Sequence, residues 1–115
     1  MRQEYIVNER PGRPPTHPGS IFKEDILPAL GISATQAAAE LHVSRQTLHR
    51  IMSGEASVTP EMALKLSKFC GSTPSFWLRM QQQWDLWHAE DRLKEELKEI
   101  RRSIVLEPHP YKDFS

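Results

Sequence analysis

Six polar residues between Ser44 and Arg50 carry the side chains best suited to chemistry in this chain. They lie in the segment SRQTLHRI, residues 44–51, where only two positions are apolar. Arginine can donate two hydrogen bonds to guanine in the major groove, and glutamine can donate to and accept from adenine. This composition therefore indicates a helix that reads base edges in double-stranded DNA. The candidate DNA-binding residues are Ser44, Arg45, Gln46, Thr47, His49 and Arg50.

Arg45 and Gln46 are the strongest candidates for base reading. They lie in the first turn after a capping serine, from which the side chains of a recognition helix reach the base edges. The roles predicted for the others are base reading by His49, base or phosphate contact by Arg50, and register-fixing contacts by Ser44 and Thr47. The alternative is that these side chains only solvate an exposed helix. The cap, the tight turn before it and the scarcity of acids nearby favour DNA.

A tight pair of helices is predicted to present this surface. Ser33 is a good N-cap for a short helix that contains three consecutive alanines, and Ser44 caps the next helix, which stops near Gly54. The small residue that lets the two helices approach is Ala38, and the apolar underside consists of Ala37, Leu41, Val43, Leu48 and Ile51. This arrangement is a helix-turn-helix.

Three further helices are predicted, and no strand pattern is present, so the expected class is all-α. The first helix begins at Pro18 and ends between Pro28 and Gly31. The others begin at Thr59-Pro60 and Thr73-Pro74, where a hydroxyl cap precedes a proline at the first helical position. The apolar positions predicted to be buried are Phe22, Ile26 and Leu27, then Met62, Leu66 and Phe69, then Phe76, Met80, Trp84 and Trp87.

An apolar stripe continues beyond Leu86 through a charged segment, residues 89–102. Its members are Leu93, Leu97, Ile100 and Ile104. One long terminal helix or two abutting helices fit this pattern. Together with the helix that starts at Pro74, the stripe is the predicted contact between two copies of the chain. The tryptophans Trp77, Trp84 and Trp87 either belong to the core or form a partner-binding patch.

The chain is expected to divide into three parts. Residues 1–17 form a mobile arm rich in proline, residues 18–90 form the domain with its motif at about 34–53, and residues 91–115 form a helical extension and tail. Through Arg10 and Arg13 the arm could contact DNA phosphates or a partner protein, although most mobile arms bind neither.

Composition limits the other function classes. The net charge is zero, from 15 basic and 15 acidic residues, which is unusual for a nucleic-acid binder and leaves open an interaction protein without DNA binding. A single cysteine, the absence of a leader and the lack of a long apolar run predict a cytoplasmic, nucleoid-associated protein with no membrane contact. No catalytic, cofactor or metal set is predicted: His17, His42, His49, His88 and His109 lack ligand spacing, and Cys70 is expected to be a buried small hydrophobe.

Three stretches resemble a known family. They are HPGSIFKEDILPALGIS at 17–33, VSRQTLHRIMSGEASVTPEMALKLSKFCG at 43–71 and STPSFWLRMQQQWDLWHAE at 72–90. They are similar to the Cro/C1-type helix-turn-helix proteins and, within them, to the HigA-type antitoxins of bacterial toxin–antitoxin modules. The resemblance implies a five-helix, lambda-repressor-like domain with an extended C-terminal helix. It also implies a homodimer that binds a palindromic operator in its own promoter and neutralises a HigB-type mRNA-cleaving toxin.

The chain departs from that family's pattern at two places. His42 stands where the family usually has glycine in the turn between the two helices, and histidine tolerates a positive φ better than branched residues do. Ala37 to Ala39 stand where larger apolar residues are common, so the packing beneath the motif is expected to be thinner. A stand-alone regulator without a toxin remains the alternative function, and the neighbouring gene would separate the two.

Overall fold

The computed structural model describes residues 12–104, which form six helices and contain no strand. The predicted all-α class is therefore confirmed. The first helix, α1, covers residues 18–30. The others are α2 (Ala34–Leu41), α3 (Arg45–Met52), α4 (Pro60–Cys70), α5 (Pro74–Arg92) and α6 (Lys94–Glu99).

Helix α1 consists of three consecutive segments. An α-helical turn at Pro18–Ile21 leads into a π-helical turn at Phe22–Ile26, and a second α-helical turn follows at Leu27–Leu30. Pro28 lies within this helix, where a proline has no N–H to donate and its ring crowds the carbonyl four residues earlier. The wider π-helical turn just before the proline accommodates it, so the chain stays helical to Leu30.

Hydroxyl side chains cap helices α2 to α5, as the sequence predicts. Each accepts a hydrogen bond from the backbone N–H three residues later, which satisfies one of the donors left free at a helix start. The pairs are Ser33 with Gln36, Ser44 with Thr47, Thr59 with Met62, and Thr73 with Phe76, at 3.0 to 3.3 Å. These local contacts set the boundaries of the motif helices.

The buried face of α5 is not the predicted one. Trp77 is 1% exposed and Gln81 is 5% exposed, whereas Phe76 of the predicted set is 42% exposed. Met80, Trp84 and Trp87 are only partly buried. The prediction was wrong here because the buried face includes a polar residue: the Gln81 side-chain oxygen accepts from the Val58 backbone N–H at 2.8 Å.

His17 belongs to the packed domain. Its prediction as the last residue of a mobile arm was wrong, since the side chain is only 3% exposed and caps α1 by accepting from the Gly19 N–H at 2.9 Å. An edge-to-face contact with Trp84, with ring centroids 5.0 Å apart, holds the imidazole against α5. The arm's first eleven residues, with Arg10, lie outside the described residues, and Arg13 is exposed.

The terminal apolar stripe lies on two abutting helices. Helix α5 ends at Arg92, Leu93 adopts a non-helical conformation with ψ 10°, and α6 follows. Leu86, Leu93 and Leu97 are between 39% and 63% exposed. Ile104, the last predicted member, lies beyond the helix and is 75% exposed. Within residues 12–104 no helix is long and apolar enough to span a membrane.

Candidate nucleic-acid interface

The turn between α2 and α3 closes on a left-handed residue, His42. Its φ of 59° and ψ of 45° place it where the family usually has glycine, and the turn survives, as expected. The Val43 N–H donates to the Ala38 carbonyl at 3.0 Å, which ends α2 sharply. Lys65 on α4 donates from Nζ to the His42 carbonyl at 3.0 Å, so the turn is also held from outside the motif.

Replacing His42 with glycine should raise the free energy of unfolding by about 0.5 to 1 kcal/mol, because glycine adopts a positive φ without the steric cost that a β-carbon imposes. The lysine contact uses the backbone carbonyl and is retained. His42→Val is the opposing control, since a branched side chain at this φ should destabilise the domain. Chemical denaturation of the three proteins measures both changes, and a destabilised glycine variant would contradict the expectation.

All six candidate DNA-binding residues are exposed on one continuous segment, Ser44 through Arg50. Beneath them Leu48 is 1% exposed and Ile51 is 4% exposed, so α3 presents a polar side to solvent and an apolar side to the core. Ala37 and Ala38 are also buried, at 0% and 3%, so these small side chains do pack beneath the motif.

The start of α3 is tightly organised by its own hydroxyls. Ser44 Oγ accepts from the Thr47 N–H at 3.0 Å and donates to Thr47 Oγ1 at 2.8 Å. Arg45 extends across the start of α2, with Nη1 3.5 Å from Thr35 Oγ1. Because Ser44 is occupied in capping, the structure leaves Arg45 and Gln46 as the long, exposed side chains of the first turn.

Arg50 has an acidic neighbour just outside α3. Its Nε lies 3.9 Å from Glu55 Oε1, and both side chains are largely exposed. Glu55→Gln should therefore strengthen DNA binding about two- to fivefold for all sequences, because it removes a negative charge near the phosphates and leaves Arg50 to them. Glu24→Gln makes the same charge change on α1 and is the control. Fluorescence anisotropy with an operator duplex and a random duplex measures the change in affinity. An unchanged affinity, or a gain for one duplex only, would contradict this expectation.

The sequence analysis does not identify Gly19 and His17 as residues that support α3. A β-carbon on Gly19 would lie 1.8 Å from the Ile51 carbonyl oxygen, so α1 and α3 touch at their backbones. His17 lies beside this contact, close to Gly54 at the end of the motif. The order His17-Pro18-Gly19, a cap followed by a first-turn proline and a residue without a side chain, was the available signal.

Metal and thiol chemistry have little support in this part of the chain. Among residues 12–104 no group of three or more histidine, cysteine, aspartate or glutamate side chains could hold a metal ion. Cys70 is half-buried at the end of α4, and burial raises the pKa of its thiol, which disfavours the reactive thiolate. This cysteine packs against the hydrophobic core.

Comparison with known proteins agrees with this geometry. The helix-turn-helix family model matches residues 23–77. An uncharacterised HTH-type transcriptional regulator of Escherichia coli K12, YddM, is 37% identical over 76% of this chain and 90% of its own length. Antitoxin HigA-1 of Vibrio cholerae is 34% identical over 81% of this chain and 88% of its own.

A solved structure shows the same fold. The structure of antitoxin GraA in complex with its operator superposes with a TM-score of 0.73 and 34% identity, covering 84% of this chain and 97% of GraA. Sequence and architecture thus point to the same group of proteins. The chain belongs to the Cro/C1-type helix-turn-helix family, whose members include the HigA antitoxins.

Proposed function

We propose that this chain is a cytoplasmic antitoxin that binds a palindromic operator as a homodimer, represses its own operon and neutralises a HigB-type, mRNA-cleaving toxin. The observation that carries the DNA half is the exposed surface of α3, with Arg45 and Gln46 in its first turn. The antitoxin half is supported by likeness to HigA-1 and to GraA, whose structure was solved with its operator.

Charge placement supports DNA binding despite the neutral total. Between Val43 and Gly54, Arg45 and Arg50 are the only lysine, arginine, aspartate or glutamate residues, so this surface is locally basic. A protomer that neutralises only a few phosphates binds weakly and loses affinity as salt rises. Two protomers that present α3 about 34 Å apart would double these contacts and match a palindrome. Dimerisation is therefore part of the proposed mechanism.

The apolar stripe on α5 and α6 is the surface that we assign to the second copy. Leu86 is 63% exposed and Leu97 is 43% exposed. Apolar side chains exposed in a row between charged ones are typical of a protein–protein contact. Residues 85–91 contain three acids and no lysine or arginine, whereas residues 98–102 carry a net charge of +2. An antiparallel pair would place each acidic segment beside the partner's basic segment.

Introducing Leu93→Glu and Leu97→Glu together should weaken dimerisation by at least about tenfold, because two charges would enter the apolar contact. Both positions are exposed in the protomer, so its fold should persist. Leu64→Glu is the matched control, since Leu64 is a 60% exposed leucine on α4, outside the stripe. Sedimentation over a range of concentrations measures the change, and an unaltered dimer would reject this interface.

The test of the antitoxin role uses the neighbouring gene. Co-expression should rescue cells from the growth arrest that the adjacent reading frame causes, and the two products should co-purify. Footprinting of the promoter upstream should show protection that requires Arg45 and Gln46. Protection without rescue would favour the second candidate, a stand-alone regulator, which the likeness to YddM supports. Rescue without protection would leave an interaction protein that lacks DNA binding.

A further inference from the structure

His17 joins three elements of the domain through one small side chain. Its Nδ1 accepts from the Gly19 N–H at 2.9 Å in the first turn of α1. Its ring packs edge-on against Trp84 of α5. On another side the ring lies 3.9 Å from where a β-carbon of Gly54 would be, at the end of the DNA-binding motif. The imidazole thus lies where α1, α5 and the end of the DNA-binding motif meet.

This arrangement requires a neutral imidazole. A neutral ring has one nitrogen that donates and one that accepts, and the Gly19 N–H requires the accepting nitrogen. A protonated ring has two donors and no acceptor. Proton uptake would therefore remove the cap of α1 and turn two N–H groups, those of His17 and Gly19, toward each other.

The first turn of α1 rests directly on the recognition helix. Gly19 is so close to α3 that a β-carbon would lie 1.8 Å from the Ile51 carbonyl oxygen and 3.0 Å from the Met52 α-carbon. The His17 ring also lies 3.9 Å from where a β-carbon of Gly54 would be. No side chain lies between the two backbones at the Gly19 contact, so we expect a shift of the α1 turn to be transmitted to the end of α3.

Charged and titratable groups of the described residues lie near His17 on several elements. Burial lowers the pKa of His17, while Asp85 on α5 and the Ala56 backbone act in the opposite direction. Trp84, which contacts His17, also packs against His88, with the Trp84 and His88 ring centroids 4.3 Å apart. In the segment between α3 and α4, Glu55 is exposed and directed to Arg50. In the segment before α1, Arg13 is exposed, and α1 itself carries the exposed Lys23, Glu24 and Asp25.

We infer that His17 is a positioning residue for the recognition helix, and that its protonation displaces the end of α3 and weakens operator binding in mild acid. This inference rests on the proposed DNA-binding function for its binding readout, but its structural part can be measured without DNA. His49 is a second histidine, exposed on the DNA-binding surface, so the binding experiment below uses a background that lacks it.

The structural experiment is an NMR titration of the full chain between about pH 7.5 and pH 5.5. The amide signals of Gly19, Ile51 and Met52 should shift with the midpoint of the His17 ring. His17→Asn is the matched variant, because asparagine is a good N-cap and does not titrate in this range. In this variant the coupled shifts should disappear, and a retained shift of Ile51 and Met52 would overturn the inference.

The binding experiment uses a duplex of the promoter region upstream of the chain's own gene, in a His49→Gln background. Affinity should fall at least about fivefold from pH 7.5 to pH 5.5, and His17→Asn should remove most of this dependence. Circular dichroism at each pH confirms that the proteins stay folded. Equal pH profiles for both proteins would overturn the inference. Absence of specific binding even at pH 7.5 would instead reject the proposed function, and the NMR titration would then decide on His17 alone.

Discussion

Replacement of Arg45 and Gln46 by alanine should lower the affinity of the full chain for its operator by about 3 kcal/mol, more than about 100-fold. Both side chains are exposed in the first turn of α3, beyond the Ser44 cap, so their removal leaves the core intact. A bidentate contact discriminates against the wrong base by about 1 to 3 kcal/mol. Loss of two such contacts should therefore reduce the preference for the operator over random DNA as well as the affinity.

Three comparisons make this result specific. Arg50→Ala should weaken binding to operator and random duplex alike if Arg50 holds a phosphate, with a smaller salt slope. Lys23→Ala removes an exposed positive charge on α1 and should leave binding nearly unchanged. Thermal unfolding of each variant controls for the fold. Wild-type discrimination by the double alanine variant, measured at one salt concentration, would show that α3 does not read the operator.

Local chemistry explains why much of this fold could be predicted from the sequence. A cap is made by a side chain and an N–H three residues away, so Ser33, Ser44, Thr59 and Thr73 identify four helix starts without tertiary information. The exposed polar side of α3 follows in the same way, because its apolar positions repeat at helical spacing. The helix that carries the candidate site, and the exposure of its polar side, could therefore be predicted from the residues alone.

Long-range contacts explain what the sequence did not reveal. Gln81 is buried because it satisfies the Val58 N–H, 23 residues away, and a polar residue on a buried face hides the periodicity. Trp77 fills the core and donates from Nε1 to Ser72 Oγ at 2.7 Å. Trp84 instead packs against His17, which lies at the N-terminal end of the domain's sequence. Neither contact can be read from the spacing of aromatic residues along α5.

Gly19→Ala should destabilise the domain by about 3 kcal/mol, which corresponds to a fall in Tm of roughly 15 °C for a domain of this size. The added β-carbon would meet the backbone of Ile51, and no rotamer change can relieve a contact between two backbones. Helix propensity alone predicts the opposite sign, because alanine normally stabilises a helix by about 0.5 to 1 kcal/mol relative to glycine.

Gly12→Ala provides the control, since a β-carbon there has nothing within 4 Å, and its stability should change by less than about 0.5 kcal/mol. Differential scanning calorimetry of both variants at neutral pH measures the difference. A Gly19→Ala protein as stable as wild type would mean that α1 can move away from α3 at little cost. The backbone contact would then not couple His17 to the recognition helix, so this measurement also tests the link on which the pH sensitivity of operator binding depends.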